Sequence, residues 1–264
     1  MREEKPSPIW LRLYALTVYL FLYTPILVLV LFSFNSSRRN SSWEGFTTSW
    51  YISLWHNESL MRALLNSLKV ACLATFLSTV LGTMAALALS RHQFRGREAA
   101  GALAYLPMMV PEIVMGIALL TFFIKMGIQL SIATVILAHV AFSVGYVTVT
   151  VRTRLAGMKG NLEEAAADLG ATPWQAFWLV TFPRILPGIM SGALLAFTLS
   201  FDDFVITFFT AGIGATTLPL AIYSMLKFGV TPEVNAISTI MLGFTICLLA
   251  LWSRLESDPK SLGR

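Results

Sequence analysis

KGNLEEAAADLGATPWQAFWLVTFPRILPG, residues 159–188, is a polar-rich stretch between two long apolar runs. Asn161 followed three residues later by Glu164 reads as an N-cap with its capping-box partner. Leu162 to Leu169 favours helix, and Gly170 is placed to end it as a C′ residue. Thr172 and Gln175 make a second N-cap pair, with Pro173 at the N1 position that proline tolerates. The second helix is expected from about Trp174 until Pro183 stops it. Both are too short to span a bilayer. Their apolar positions are Ala165, Ala166, Leu169, Trp174, Phe177 and Trp178. These suit an interfacial element with tryptophans at the headgroups and, equally well, a docking surface for a soluble partner.

Outward from this segment the chain is strongly apolar. Of its 264 residues, 56% are hydrophobic and 12% charged, with a mean hydropathy of +0.71. A soluble domain would carry about a quarter charged residues. Here the charges cluster between apolar blocks of roughly 20 residues or more, the signature of membrane helices. Six spans are expected, at about 11–34, 64–89, 99–124, 131–151, 187–209 and 235–253. They imply an all-α membrane protein forming a single domain over 1–264, with the loop element at 157–186. The remaining stretches are too short for an independent soluble domain. The first apolar core, Leu13 to Phe34, is longer than a signal-peptide h-region and no A-x-A-like site follows, so an uncleaved span is expected. Cys72 and Cys247 lie in spans without CxxC spacing, which argues against a disulfide or a metal. The sequons at Asn35, Asn40 and Asn57 carry little weight in an Asn- and Ser-rich loop.

Thirteen of the nineteen Lys and Arg residues fall on one side of this topology, among them Arg91, Arg95, Arg97, Arg152, Arg154 and Arg184. By the positive-inside bias, both termini and the 90–98 and 152–186 loops face the cytoplasm. The net charge of +5 reflects that bias and does not suggest nucleic acid.

Three acids fall inside the expected spans: Glu112 in LPMMVPEIVMGIAL, and Asp202 and Asp203 in LSFDDFVITFF. An ionised side chain near a helix centre costs about 2.5–3.5 kcal/mol on insertion scales, so such groups face a bundle interior or a wet cavity. Few opposing charges lie in the spans. On a continuous helix adjacent residues diverge by about 100°. Asp203 then shares a row with Ser200, Thr207 and Thr210, extended by Gly192 and Ala196, which reads as a helix–helix seam or a pathway lining. Asp202 shares its row with Thr198 and points elsewhere. Asp203 is thus the better pathway candidate and Asp202 a holder of a neighbouring helix or partner. Both would lie in the outer half of the fifth span. Pro107 and Pro111 free backbone carbonyls beside Glu112, which suits a locally opened helix lining a cavity or an ordinary proline kink. Unpaired acids on two helices favour a path that attracts cations. Tyr105, Tyr146 and Tyr223 could offer cation–π faces to such a cargo, although interface and packing roles are commoner.

EAAADLGATPWQAFWLVTFP resembles the EAA loop of the inner-membrane permease subunits of binding-protein-dependent ABC importers. Glu164, Ala165 and Ala166 match its E-A-A, and Gly170 falls at the required spacing. Val180, Phe182 and Pro183 stand where Ile, Leu and Pro are expected. The resemblance implies a type I importer permease bundle, with the loop as a coupling helix on a separate ATPase. Glu164 would contact the nucleotide-binding subunit and Gly170 would set the turn. The chain has no G-x-x-x-x-G-K-[ST], so the energy is expected from another polypeptide; a transport subunit with no catalytic residue, metal or cofactor of its own is expected. ATP and Mg would be used by the partner.

SFDDFVITFF, TTLPLAIYSMLKFGVTPEVNA, FSFNSS and GFTTSWY further resemble the C/I-type permease of spermidine/putrescine importers, over roughly residues 20–250. That resemblance implies an inner-membrane subunit forming half of a pathway for putrescine or spermidine. Its partners would be a homologous second permease, two copies of an ABC ATPase, a periplasmic substrate-binding protein and membrane lipid. The alternatives are an importer of the same class for another solute, such as a metal or amino-acid-like cation, and an ion-coupled secondary transporter.

Overall fold

The structure, a computed structural model, describes residues 9–37, 42–158, 162–227, 229 and 231–257. Asn40 and the expected N-cap Asn161 lie outside them. In chain order the helices are α1 (Ile9–Phe32), α2 (Ser49–His56), α3 (Glu58–Arg91), α4 (Arg97–Met109), α5 (Glu112–Lys125), α6 (Ile132–Ala156), α7 (Leu162–Asp168), α8 (Pro173–Ala176), α9 (Phe182–Phe201), α10 (Val205–Thr210), α11 (Leu218–Leu226) and α12 (Pro232–Ser257). A π-helical turn, Phe177–Thr181, joins α8 to α9. Among the described residues, five segments are long and apolar enough to cross a membrane, and α4 with α5 makes a sixth if that bent pair is one crossing. The expectation of an all-α membrane bundle is met.

Two spans differ from the expected straight helices. The third, read as 99–124, is two helices bent by 112°. Val110 is extended (φ −80°, ψ 130°), as the residue before a proline prefers, and Pro111 follows at φ −55°, ψ 134°. The fifth, read as 187–209, begins further upstream and stops earlier. Pro183 does not end the preceding helix, because the wider π turn just before it absorbs the missing N–H, and Pro173–Phe201 runs as one apolar span. The helix then breaks after Phe201 and resumes at Val205.

The chain groups into two compact units, residues 1–58 with 222–246 and residues 59–221 with 247–264. In the first, the carboxamide of Asn35 organises the turn after α1. It donates to the Ser42 carbonyl (2.7 Å) and accepts from the Glu44 amide (3.0 Å), and Trp50 Nε1 donates to the Asn35 carbonyl (2.7 Å). Asn35 is fully buried, so its sequon is closed to a glycan.

In the second unit α6 is the centre. It presents buried residues on several faces and contributes to three core clusters. Val147 and Val151 pack with Ala86, Ile185 and Ile189. Ala138 and Phe142 pack with Phe123 and Ile206, and Val135 packs with Val70 and Ala215. Small residues let the helices close on it. A Cβ on Gly145 would run into the Ala104 carbonyl of α4. Gly145→Ala is therefore expected to destabilise the bundle by about 1–3 kcal/mol, the usual cost of overpacking. The measurement is the thermal midpoint of the purified chain in detergent, and an unchanged midpoint rules out so close an α4–α6 seam.

Candidate functional site

The two aspartates sit in the break between α9 and α10, where they no longer obey one helical wheel. Asp202 closes α9 at φ −90°, ψ −3° and is exposed. The Asp203 side chain is only 5% exposed. Its carboxylate accepts from the amides of Ile206 (3.2 Å) and Thr207 (2.8 Å) and from the Thr207 hydroxyl (2.9 Å). Side-chain bonds of this kind compete with the helical ladder, and here they start α10 afresh. His139 of α6 completes the site. Its Nε2 lies 3.2 Å from Asp203 Oδ2 and 3.0 Å from Thr207 Oγ1, and its Nδ1 lies 2.7 Å from Ser200 Oγ. Thr134 Oγ1 of α6 also donates to the Thr210 carbonyl (2.8 Å). The row Ser200, Asp203, Thr207 and Thr210 therefore meets α6 as a polar seam, one of the two readings its composition allows.

His139 is the residue that counting Lys and Arg counter-charges misses. A lone histidine in the apolar run VILAHVAF was the available signal, because ionisable groups inside spans seek partners there.

Glu112 opens α5 immediately after Pro111 and is exposed. Among the described residues neither Glu112 nor Asp202 forms an ion pair. Tyr146 of α6 stacks obliquely on Phe142 (5.1 Å) and packs on the cluster around Phe123, Phe142 and Ile206, which Leu199 and Met115, one turn after Glu112 on α5, also border. Glu112, Tyr146 and the break at 202–204 thus border one part of the unit. Tyr105 lies elsewhere, lining a cavity of about 860 Å³ with Gln93, Arg97, Glu98 and Arg152. Tyr223 belongs to the other unit, and Lys227 Nζ stands 5.1 Å from its ring centre.

The loop element is built as its caps dictate. Thr172 and Gln175 make reciprocal cap bonds. Gly170 has φ +87°, and its amide donates to Ala167 O while that of Ala171 donates to Ala166 O, both at 2.9 Å. This is a Schellman ending. The turn leaves Leu169 90% exposed beside Trp174 at 70%. Glu164 and Ala165 also face outward, and Ala166 is half-buried. Its neighbour Glu163 turns the other way, to Arg91 of α3 and to the buried Thr181 hydroxyl. Arg91 in turn donates to Thr181 Oγ1 (3.0 Å) and lies over the Phe177 ring at 5.6 Å. Glu163 anchors the element to the bundle while Glu164 is presented outward. A sequence match to E-A-A marks only the second.

Residues 78–257 match the family described as the binding-protein-dependent transport system inner membrane component. The chain is 44% identical to the spermidine/putrescine transport system permease protein PotC of Haemophilus influenzae, covering 89% of this chain and 91% of that one. It is 41% identical to PotC of Escherichia coli K12, with 93% of each chain covered. The putrescine transport system permease protein PotI of the same strain is 42% identical, with 89% and 86% covered. Among solved structures, a chain of a bacterial ABC transporter involved in the import of the acidic polysaccharide alginate superposes with a TM-score of 0.72 at 16% identity, covering 97% of this chain and 96% of that one. A chain of the inward-facing MetNI methionine ABC transporter gives 0.65 at 19%, covering 78% and 96%.

Proposed function

Because the chain belongs to the family of binding-protein-dependent inner membrane components, we propose that it is the permease subunit of a polyamine importer. The observation that carries the cargo is identity of 41–44% to polyamine permeases over most of the chain. Glu112 and Asp202, exposed and without an ion pair among the described residues, support it. The subunit works as one permease domain in the inner membrane with both termini cytoplasmic. It pairs with a homologous permease, and two copies of an ABC ATPase grip the loop elements from the cytoplasm. A periplasmic binding protein delivers putrescine or spermidine on the other side. Family membership sets aside the ion-coupled secondary transporter.

The chemistry asked of this chain is electrostatic. A polyamine leaving water for a narrow path loses hydration at each ammonium, and carboxylates at intervals replace it. At 4 Å such a pair gains about 1 kcal/mol in water and about 4 kcal/mol at an effective dielectric constant of 20. Glu112 at the start of α5 and Asp202 in the helix break are the two stations. Their contacts must stay weak, since a tight site would hold the cargo. Asp203, already committed to His139 and Thr207, is not a station. Glu164, Ala165, Ala166 and Gly170 form the coupling surface, and ATP and Mg are used by the partner.

The test is uptake of labelled putrescine and spermidine by vesicles holding the whole assembly. ATP-dependent accumulation of at least one is expected. Uptake of neither, by an assembly that hydrolyses ATP, would sink the polyamine reading.

A further inference from the structure

His139 stands in the first third of α6 at 1% exposure, and its two nitrogens reach opposite sides of the break in the fifth span. Nδ1 meets Ser200 on the last turn of α9, and Nε2 meets Thr207 of α10 and Asp203 between them. Proton counting fixes the direction of these bonds. The single hydroxyl proton of Thr207 is given to Asp203, so the Thr207 contact with His139 requires Nε2–H to donate. In the neutral ring Nδ1 then accepts from Ser200. One imidazole thereby ties together two helical limbs whose hydrogen-bond ladder is interrupted between Phe201 and Val205.

The exposed residue in that gap is Asp202. Its direction is set by the backbone between the two anchored limbs. We propose that His139 is a positioning residue for transport: it clamps both limbs of the broken span so that Asp202 is presented to the pathway, with Asp203 serving the clamp. The inference rests on the reading of Asp202 as a pathway acid given above.

The experiment is a double-mutant cycle on the reconstituted importer, reading polyamine uptake per assembled complex for His139→Ala, Asp202→Asn and the pair. Each single change is expected to lower uptake by about tenfold, and the pair by no more than Asp202→Asn alone, because a misdirected carboxylate and an absent one are equivalent. His139→Gln, which keeps one donor and one acceptor, should recover part of the loss. Multiplying losses, with no recovery by Gln, would show a merely structural histidine and overturn the clamp. If His139→Ala does not assemble, Ser200→Ala and Thr207→Val trim the clamp from either limb with the imidazole in place. The same non-additivity is expected of them, and independent effects overturn the proposal. A silent Asp202→Asn refutes the pathway reading and the clamp with it. A tenfold Asp202→Asn effect beside silent His139 variants refutes the clamp alone.

Discussion

Neutralising Glu112 and Asp202 together, as Glu112→Gln with Asp202→Asn, is expected to cut polyamine uptake by about 100-fold while the chain still assembles with its ATPase. Each carboxylate is credited with about 1.4 kcal/mol of barrier, or tenfold in rate, which lies within the range expected of a half-wet ion contact. The two residues stand on different helices and share no hydrogen bond, so their effects should roughly add. Both are exposed, and among the described residues neither is ion-paired, so neutral amides of the same shape leave no buried charge stranded. Co-purification with the ATPase separates loss of transport from loss of assembly. Uptake within a factor of about two of the unmodified transporter would remove both acids from the path, since one surviving station still predicts a tenfold loss.

Gly170→Pro is expected to leave the bundle folded and abolish coupling between ATP hydrolysis and uptake. The residue has φ +87°, and a side chain added there would meet no neighbouring atom within 4 Å of its Cβ, so the demand on it is conformational and not steric. Proline holds φ near −65° and also removes the amide that bonds Ala167 O at 2.9 Å. The Schellman turn cannot then form, and Leu169, Glu164 and Ala165 lose their presentation. Gly170→Ala, which meets only the left-handed penalty of about 1–2 kcal/mol, should give a partial defect. The inner anchor of Glu163 on Arg91 and Thr181 is left in place by both changes. ATP hydrolysis stimulated by the loaded binding protein is the measurement. Normal stimulation in Gly170→Pro would rule out this turn as the docking element.

Much of this protein is local and therefore legible in order of sequence. Membrane class follows from runs of apolar residues, since backbone in lipid must satisfy its own hydrogen bonds within each helix. The Thr172–Gln175 cap and the Gly170 turn follow from bonds spanning three to five residues, and both are found as expected. The opening beside Glu112 follows from Pro111, whose ring acts only on its neighbours.

What only the tertiary structure decided depends on partners far along the chain. His139 meets Ser200 and Thr207 across 61 and 68 positions, and Glu163 meets Arg91 across 72. Neither pairing has a spacing that a helical period reveals. The break after Phe201 has no glycine or proline to announce it. It exists because the Asp203 carboxylate is satisfied from α6 and from α10 at once, which a single continuous helix would not allow. The sequence alone marked out a membrane protein with acids in its spans and a capped loop element between two of them. The packing against α6 decided which acid is locked away and which is left facing out.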